Sequence, residues 1–320
     1  MSFRHIVITR FSYRGKDVFK RVAGPPFHRA EDPLDPDRLD MRFMLFELTC
    51  LPSVLAQIQQ EFDWVLLVDR ELPASHLARL RSLVSIRKAT FVHPFDPQSD
   101  PGALGWLRGY LPNETHRVVT TNLDDDDSLP TRYIAELQER LREREAAARL
   151  PPVAIVGARQ IVQWDLVAED EAPLGWKAPW HRPTRVASAG LSLCCVLPGF
   201  DFCVLGLRHA LAEDYLDFSR APTHPNVAWM RGAVSASAAR AGVDLSSWTR
   251  EAYFHDISRD VGPVLMTNHM SNDQRERLVE AKGQREPVTG AADFPDLPVN
   301  WAKARAVVLA LSPRDNSPPS

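Results

Sequence analysis

The chain has 320 residues, 44% of them hydrophobic, and a formal net charge of -3. That is apolar material enough for one large domain or two modest ones. The mildly acidic balance argues against a nucleic-acid binder, which is normally basic, and no apolar run is long enough to span a bilayer, so any membrane contact is expected to be peripheral.

Ile6-Val7-Ile8 opens the chain as a short buried strand, and 5–9 around it is too short and too polar for a secretory leader. The stretch 21–40, rich in Pro and charge, is expected as a long loop. Over 42–62, Val54, Leu55, Ile58 and Phe62 recur at helical steps, and Pro52-Ser53 suit the first turn of the second half. The apolar run 64–68 ends at Asp69 and reads as a second buried strand; 77–84 follows as a helix and 89–92 as a strand.

Val118, Val119, Thr120 and Thr121 are β-branched and predict a strand. Directly after it come Asp124, Asp125, Asp126 and Asp127. Ser128-Leu129-Pro130 then suits a helix start, with Ile134, Leu137 and Leu141 as the buried stripe. A further strand is expected at 153–156. Strands and helices alternate through this half, which predicts an α/β fold with a mainly parallel sheet covered on both faces.

In the second half, 161–167 and 189–197 read as strands around a Trp- and Pro-rich loop containing Trp176, Trp180, His181 and Arg182. Cys50, Cys194, Cys195 and Cys203 fit neither a disulfide framework nor a zinc site, and a reducing, cytoplasmic setting is the expectation. Helices are expected at 203–218 and 226–241. From about 282 onward Pro, Gly and charge dominate, with 307–311 as a short docking element.

Four adjacent carboxylates repel one another, and a divalent cation with oxygen preference removes the repulsion. Open α/β sheets bind ligands at the carboxyl ends of their strands, where this run falls. The pattern suits a nucleotide-diphosphate sugar site. Magnesium or manganese would bridge two phosphates and neutralise the leaving diphosphate. Asp124 is the candidate for the ribose, with Asp126 and Asp127 at the metal; helix-start capping accounts for one or two of the acids but not for four. Asp69 could read a base or ribose or be a turn aspartate, and Arg10 could touch a diphosphate or be a surface arginine. Arg42 points at phosphate or is solvated. His269, in a polar loop after Val264-Leu265-Met266, is a candidate for the metal or a phosphate, and Glu213 or Asp214 for the base that takes the acceptor proton.

Several segments together resemble the rhamnosyltransferase family of GT-A-type bacterial glycosyltransferases. They are Arg10-Phe11-Ser12, Leu51-Pro52-Ser53-Val54 with Gln57, Phe62-Asp63-Trp64 leading to Asp69, and Thr121-Asn122-Leu123-Asp124-Asp125-Asp126-Asp127-Ser128-Leu129. The resemblance implies a GT-A-like, Rossmann-type fold with a mixed, mainly parallel sheet flanked by helices. It implies donor contacts from Arg10, Phe11, Asp69, Thr121, Asn122 and Asp124. A DxD-type metal motif follows at Asp124, Asp126 and Asp127, with His269 serving the metal or diphosphate. One domain over 1–280 is expected, with a nucleotide-sugar half (1–157), an acceptor half (158–280) and a partly disordered tail (281–320). The expected partners are a nucleotide-diphosphate sugar and a saccharide or glycan acceptor. Two other readings use the same acids: a metal-dependent phosphohydrolase or nucleotidyltransferase, and a non-catalytic cation-binding protein. The run lacks the turn Gly and distal Glu of a calcium loop, which disfavours the last.

Overall fold

The computed structural model describes residues 3–13, 32–96, 102, 104–181, 186–245, 248–269 and 285–311. Its centre is a seven-stranded sheet in the order β3-β2-β1-β4-β9-β6-β10. These are β1 (Arg4–Phe11), β2 (Asp63–Asp69), β3 (Thr90–Phe95), β4 (Arg117–Asn122), β6 (Val153–Gly157), β9 (Ser192–Val196) and β10 (Phe254–Asp256). β9 alone runs antiparallel to its neighbours, and every other pairing is parallel. The class expected from the sequence, mixed α/β with a mainly parallel sheet flanked by helices, is present.

Side-chain alternation gives the sheet two apolar faces. Val7, Trp64, Leu66, Val68 and Val119 pack on one side, while Ile6, Ile8, Val65, Leu67 and Val118 pack on the other. A strand buried on both faces needs an unbroken apolar run, which is why β1 and β2 were readable. Cys194 and Cys195 face opposite sides of β9 as buried free thiols.

The first face is covered by α1 (Pro36–Leu45), a π-helical stretch Phe46–Cys50, α2 (Leu51–Leu55), α3 (Ala74–Val84) and α4 (Tyr133–Ala146). The helix expected from residue 42 starts earlier, at Pro36, inside the stretch expected as loop. Asp35 caps it, accepting from the Asp37 and Arg38 amides at 3.0 and 3.3 Å, and Pro36 fits the first turn because it has no amide hydrogen to leave unpaired. The helix ends at Leu55, short of residue 62. Residues 21–31 of the expected loop lie outside the described residues.

A second sheet, in the order β12-β8-β7-β11-β5, lies beside the first. It contains β5 (Asp127–Ser128), β7 (Gln160–Asp165), β8 (Trp176–His181), β11 (Val264–Asn268) and β12 (Glu286–Pro287). Thus the Trp- and Pro-rich segment forms a paired strand in part, while Arg182 lies outside the described residues. The segment 203–218 forms only 3₁₀ turns, at Val204–Gly206 and His209–Leu211, followed by further turns; α5 (Pro225–Ala241) comes after it. Its apolar residues still reach the second face of the main sheet, including Val204, Ala212, Tyr215 and Leu216. Residues 285–311 supply β12 and a last helix, Trp301–Leu311, whose Val307, Val308 and Leu311 pack with Trp164 and Leu265 of the second sheet. Residues 312–320 lie outside the described residues.

Candidate functional site

The chain runs from β1 outward to β2 and β3, then crosses to the other side of β1 as β4. Connections that leave two neighbouring parallel strands in opposite directions open a crevice above their carboxyl ends, the usual ligand position in such sheets. Here that crevice lies between the end of β1, at Arg10, and the end of β4, where Asn122-Leu123 lead into the aspartates. Gly190 supports the β4 end from below. Its amide donates to the Asn122 carbonyl at 2.7 Å, and its φ of +79° suits glycine. A Cβ there would come within 2.4 Å of the Tyr133 ring.

The four aspartates form a tight turn in which the Asp127 amide donates to the Asp124 carbonyl at 3.2 Å. The turn joins the two sheets. It leaves β4 in one and enters β5 in the other, where Asp127 and Ser128 pair antiparallel with Met266 and Leu265 of β11. That register brings in residues far away in sequence. Thr267 Oγ1 donates to the Asp126 carbonyl at 2.6 Å, and His269 Nε2 lies 3.1 Å from Asp126 Oδ2.

Two arginines answer the negative charge. Arg10, at the end of β1, donates through Nε and an Nη to Asp124 Oδ1 at 3.2 and 2.7 Å. Arg42, in the last turn of α1, donates through one nitrogen to Asp125 Oδ1 at 2.9 Å and to Asp126 Oδ2 at 3.0 Å. Burial separates the acids. It pushes the Asp125 carboxyl up to about 7, against the pull of Arg42. Burial also acts to raise Asp126, but Arg42 and His269 outweigh it and hold this carboxyl at about 2. Asp127 is driven well above the ordinary range by burial and by its acidic neighbours. Asp125 Oδ2 is buried with no hydrogen-bond partner.

The other expected donor residues divide. Arg10, Asn122 and Asp124 meet at the crevice. Phe11 is fully buried, with its ring 4.8 Å from Phe43 and 5.5 Å from Phe46. Thr121 is also fully buried, bonded to His5 Nε2 at 2.8 Å and to Ser192 Oγ at 2.6 Å. Both support the crevice from behind rather than line it. Asp69 ends β2 and accepts from the Glu71 amide at 2.9 Å, the geometry of a turn aspartate. Arg42, expected to point at phosphate or be solvated, binds two acids of the turn, and Thr267 is a site residue that sequence reasoning left without a role of its own. Each reaches the turn across more than eighty positions, so no local spacing marks them.

Glu213 and Asp214 lie in the turn-rich segment before α5, not on a helix. Glu213 is buried and is ion-paired with Arg159, just after β6, and with Arg250, both at 2.7 Å. Burial lifts its carboxyl above the ordinary value, with Arg159 and Arg250 opposing. Asp214 pairs with Arg220 at 2.7 Å and is more open. β6 runs parallel to β4, so Arg159 stands on the same carboxyl edge of the sheet as the aspartate turn. Neither Glu213 nor Asp214 bonds to the turn itself.

Magnesium and manganese are commonly held by one or two carboxylates, with water and substrate phosphates completing the shell. The convergent Asp126 and His269 atoms, with the orphaned Asp125 oxygen beside them, fit such a partial shell. Among the described residues no group of three or more His, Cys, Asp or Glu side chains is poised to hold a metal by itself, so phosphate oxygens would have to complete it.

Solved structures resemble the chain at low identity. A fragment of S. aureus TarS, residues 1–349, is 13% identical over 52% of this chain and 36% of its own length, with a TM-score of 0.27. The present chain therefore spans about a third of that fragment. A putative nucleotide-diphospho-sugar transferase from Desulfovibrio desulfuricans is 12% identical over 73% of this chain and 78% of its own, with a TM-score of 0.31. Mouse xyloside xylosyltransferase 1 is 13% identical over 80% and 85%, with a TM-score of 0.30. No curated protein matches. The model of one family, described as "Putative rhamnosyl transferase", matches residues 4–211, about two thirds of the sequence, and the chain belongs to that family of glycosyltransferases.

Proposed function

We propose that the protein is a metal-dependent glycosyltransferase that moves a sugar from a nucleotide-diphosphate donor to a saccharide or glycan acceptor. The family description points to rhamnose as the sugar. The observation that carries the reading is the aspartate turn at the sheet's switch point, bound to Arg10, Arg42 and His269.

In this reading Asp126 and His269 hold magnesium or manganese, with Asp127 fixing the turn through its β5 register. Asp124, steered by Arg10, faces the ribose. The bound cation supplies charge neutralisation for the diphosphate. The protein contributes the orientation of donor and acceptor across the crevice. As the acceptor oxygen bonds to the sugar's anomeric carbon, the bond to the diphosphate oxygen breaks. The diphosphate leaves with that electron pair, and the acceptor's proton passes to a carboxylate. Asp214 suits that last role better than Glu213. The charge of Glu213 is already engaged by two guanidinium groups in a buried setting, which makes it a positioning group.

A thermal-shift panel of uridine, guanosine and thymidine diphosphates with manganese tests the assignment. One of them is expected to raise the melting temperature, because a ligand that binds only the native state stabilises it. Asp126→Ala should abolish the rise. A folded protein that responds to none of the diphosphates would overturn the reading, and release of inorganic phosphate without an acceptor would favour hydrolysis instead.

A further inference from the structure

We propose that Arg42 is a resident counter-cation of the aspartate turn: it holds the seat between Asp125 and Asp126 until a divalent cation arrives with a diphosphate, and then passes its hydrogen bonds to the phosphate oxygens. This inference rests on the donor-site reading above.

The geometry at Arg42 differs from that at Arg10. Arg10 places two nitrogens on a single oxygen of Asp124, a clamp on one acid. Arg42 places a single nitrogen between oxygens of two acids, at 2.9 and 3.0 Å. A point of positive charge equidistant from two carboxylates occupies the position a divalent cation would take. His269 Nε2 is 3.1 Å from the same Asp126 oxygen, so that oxygen is where the arginine and a cation held by Asp126 and His269 would collide. Two positive charges cannot share it without strong repulsion. Asp125 Oδ2, buried and unpartnered, is the atom Arg42 leaves unsatisfied. A cation with more coordination sites than one N–H could use it.

Arg42 also has somewhere to go. A quarter of its side chain is exposed, while Asp125 beneath it is almost wholly enclosed. A guanidinium released from carboxylates finds its next best partner in phosphate, which accepts the same forked hydrogen bonds. The physical gain lies in both states. Without donor, the arginine keeps buried like charges from forcing the turn apart. With donor, the cation and the arginine both act on the diphosphate. The cost is a weakened hold on a bare metal ion, so the site favours loading the ion and diphosphate together. By linkage, each must then raise the affinity of the other.

The test measures binding, not turnover. Manganese chloride alone is titrated calorimetrically into the full chain as wild type, Arg42→Gln and Arg42→Lys. The three diphosphates are then titrated at saturating manganese. Removing the arginine should tighten bare manganese more than about tenfold, because a competing positive charge is gone. It should weaken diphosphate binding by about tenfold, through loss of charge-assisted hydrogen bonds. Arg42→Lys keeps the charge without the fork and should move both affinities less, in the same directions. If the Gln variant does not fold, the Lys variant carries the test alone. Manganese affinity that is unchanged or weaker in the variants overturns the proposal, even where wild type binds manganese and diphosphate. If neither wild type nor variants bind manganese or any diphosphate, the donor-site reading itself fails and takes this one with it.

Discussion

The aspartate turn and the Glu213–Asp214 pair are both acids answered by arginines, but the fold holds them by different means. The turn is pinned at both ends by strand register, with β4 on one side and β5 against β11 on the other. Its carboxylates are buried together, and their titration is driven apart by burial and by Arg42. Glu213 and Asp214 sit in irregular turns, each acid with its own arginine partners, one buried and one open. The first arrangement suits holding concentrated positive charge in one place. The second leaves one carboxylate more open to solvent. The two acid clusters differ in burial and in strand register rather than in residue type.

The sharpest way to break this comparison is at the open acid. Asp214→Asn is expected to lower kcat by about 10²–10⁴-fold, the usual range for a lost general base, with little change in KM for the donor. Donor-stimulated transfer measured at saturating acceptor checks it. An unchanged kcat would remove Asp214 from the reaction and leave Glu213 or another group to take the proton.

Within the turn, pH separates the two bridged acids. Asp125 moves from its ordinary 3.8 up to about 7 in the native state. Between those values the native chain holds a proton that the unfolded chain has released, so stability falls as pH rises from about 4 to about 7. Asp127, also raised by burial, contributes the same sign. Asp126 acts oppositely and lower down. Held at about 2, it stabilises the native chain above 3.8, and this is lost as pH falls through its native value. Asp125→Asn should flatten the upper slope and spare the lower one, leaving the variant more stable than wild type by up to about 4 kcal/mol at pH 8. Urea midpoints from pH 3 to 8 measure this. A flat wild-type profile over the upper window would mean that Arg42 keeps Asp125 ionised throughout.

These contrasts also show what the sequence could reveal. β2, β4 and β6 were readable because a strand covered on both faces must be written as an apolar, β-branched run. α4 carried helical periodicity, and both α4 and α5 turned up where expected, although α5 has no clean apolar stripe, with Trp229 exposed and Arg231 buried. The segment 203–218 misled for a physical reason. Val204, Leu207, Leu211 and Tyr215 recur at helical steps, yet the Arg208 amide donates to Tyr215 Oη at 2.9 Å and the chain folds as successive turns that feed the same core. Pro179 hid β8, since a proline in a paired strand breaks the usual pattern. The acids of the site were visible as a run of like charge. Arg10, Arg42 and His269 were candidates too, but their pairing with particular acids was not legible: Arg10 stands 114 positions from Asp124, Arg42 83 positions from Asp125, and His269 143 from Asp126. Only the joining of two sheets at one turn brings them together, and no local pattern encodes that.

The pairing of Glu213 tests whether its burial is structural. Arg159→Met removes one of two guanidinium groups from a buried carboxylate. Stranding a buried charge costs about 3–5 kcal/mol, and the remaining Arg250 should keep the loss near about 3 kcal/mol. The fall in the urea midpoint should be matched by a near-normal kcat in the folded fraction. A loss of turnover without a loss of stability would instead make Arg159 part of the acceptor site.

The smallest effect belongs to the same cluster's exposed rim. Arg220 pairs with Asp214 at 2.7 Å and with Asp217 at 2.8 Å, but more than half of its side chain is in solvent. Such pairs exchange one set of well-solvated contacts for another and are worth about 0–1 kcal/mol, less at high salt. Arg220→Gln should therefore leave stability within about 1 kcal/mol of wild type. Urea midpoints for both proteins at low and high salt measure this. A loss above about 1 kcal/mol would mean that the rim pair is held more tightly than its exposure implies, and that the open acid is less independent of the buried one than their separate partners imply.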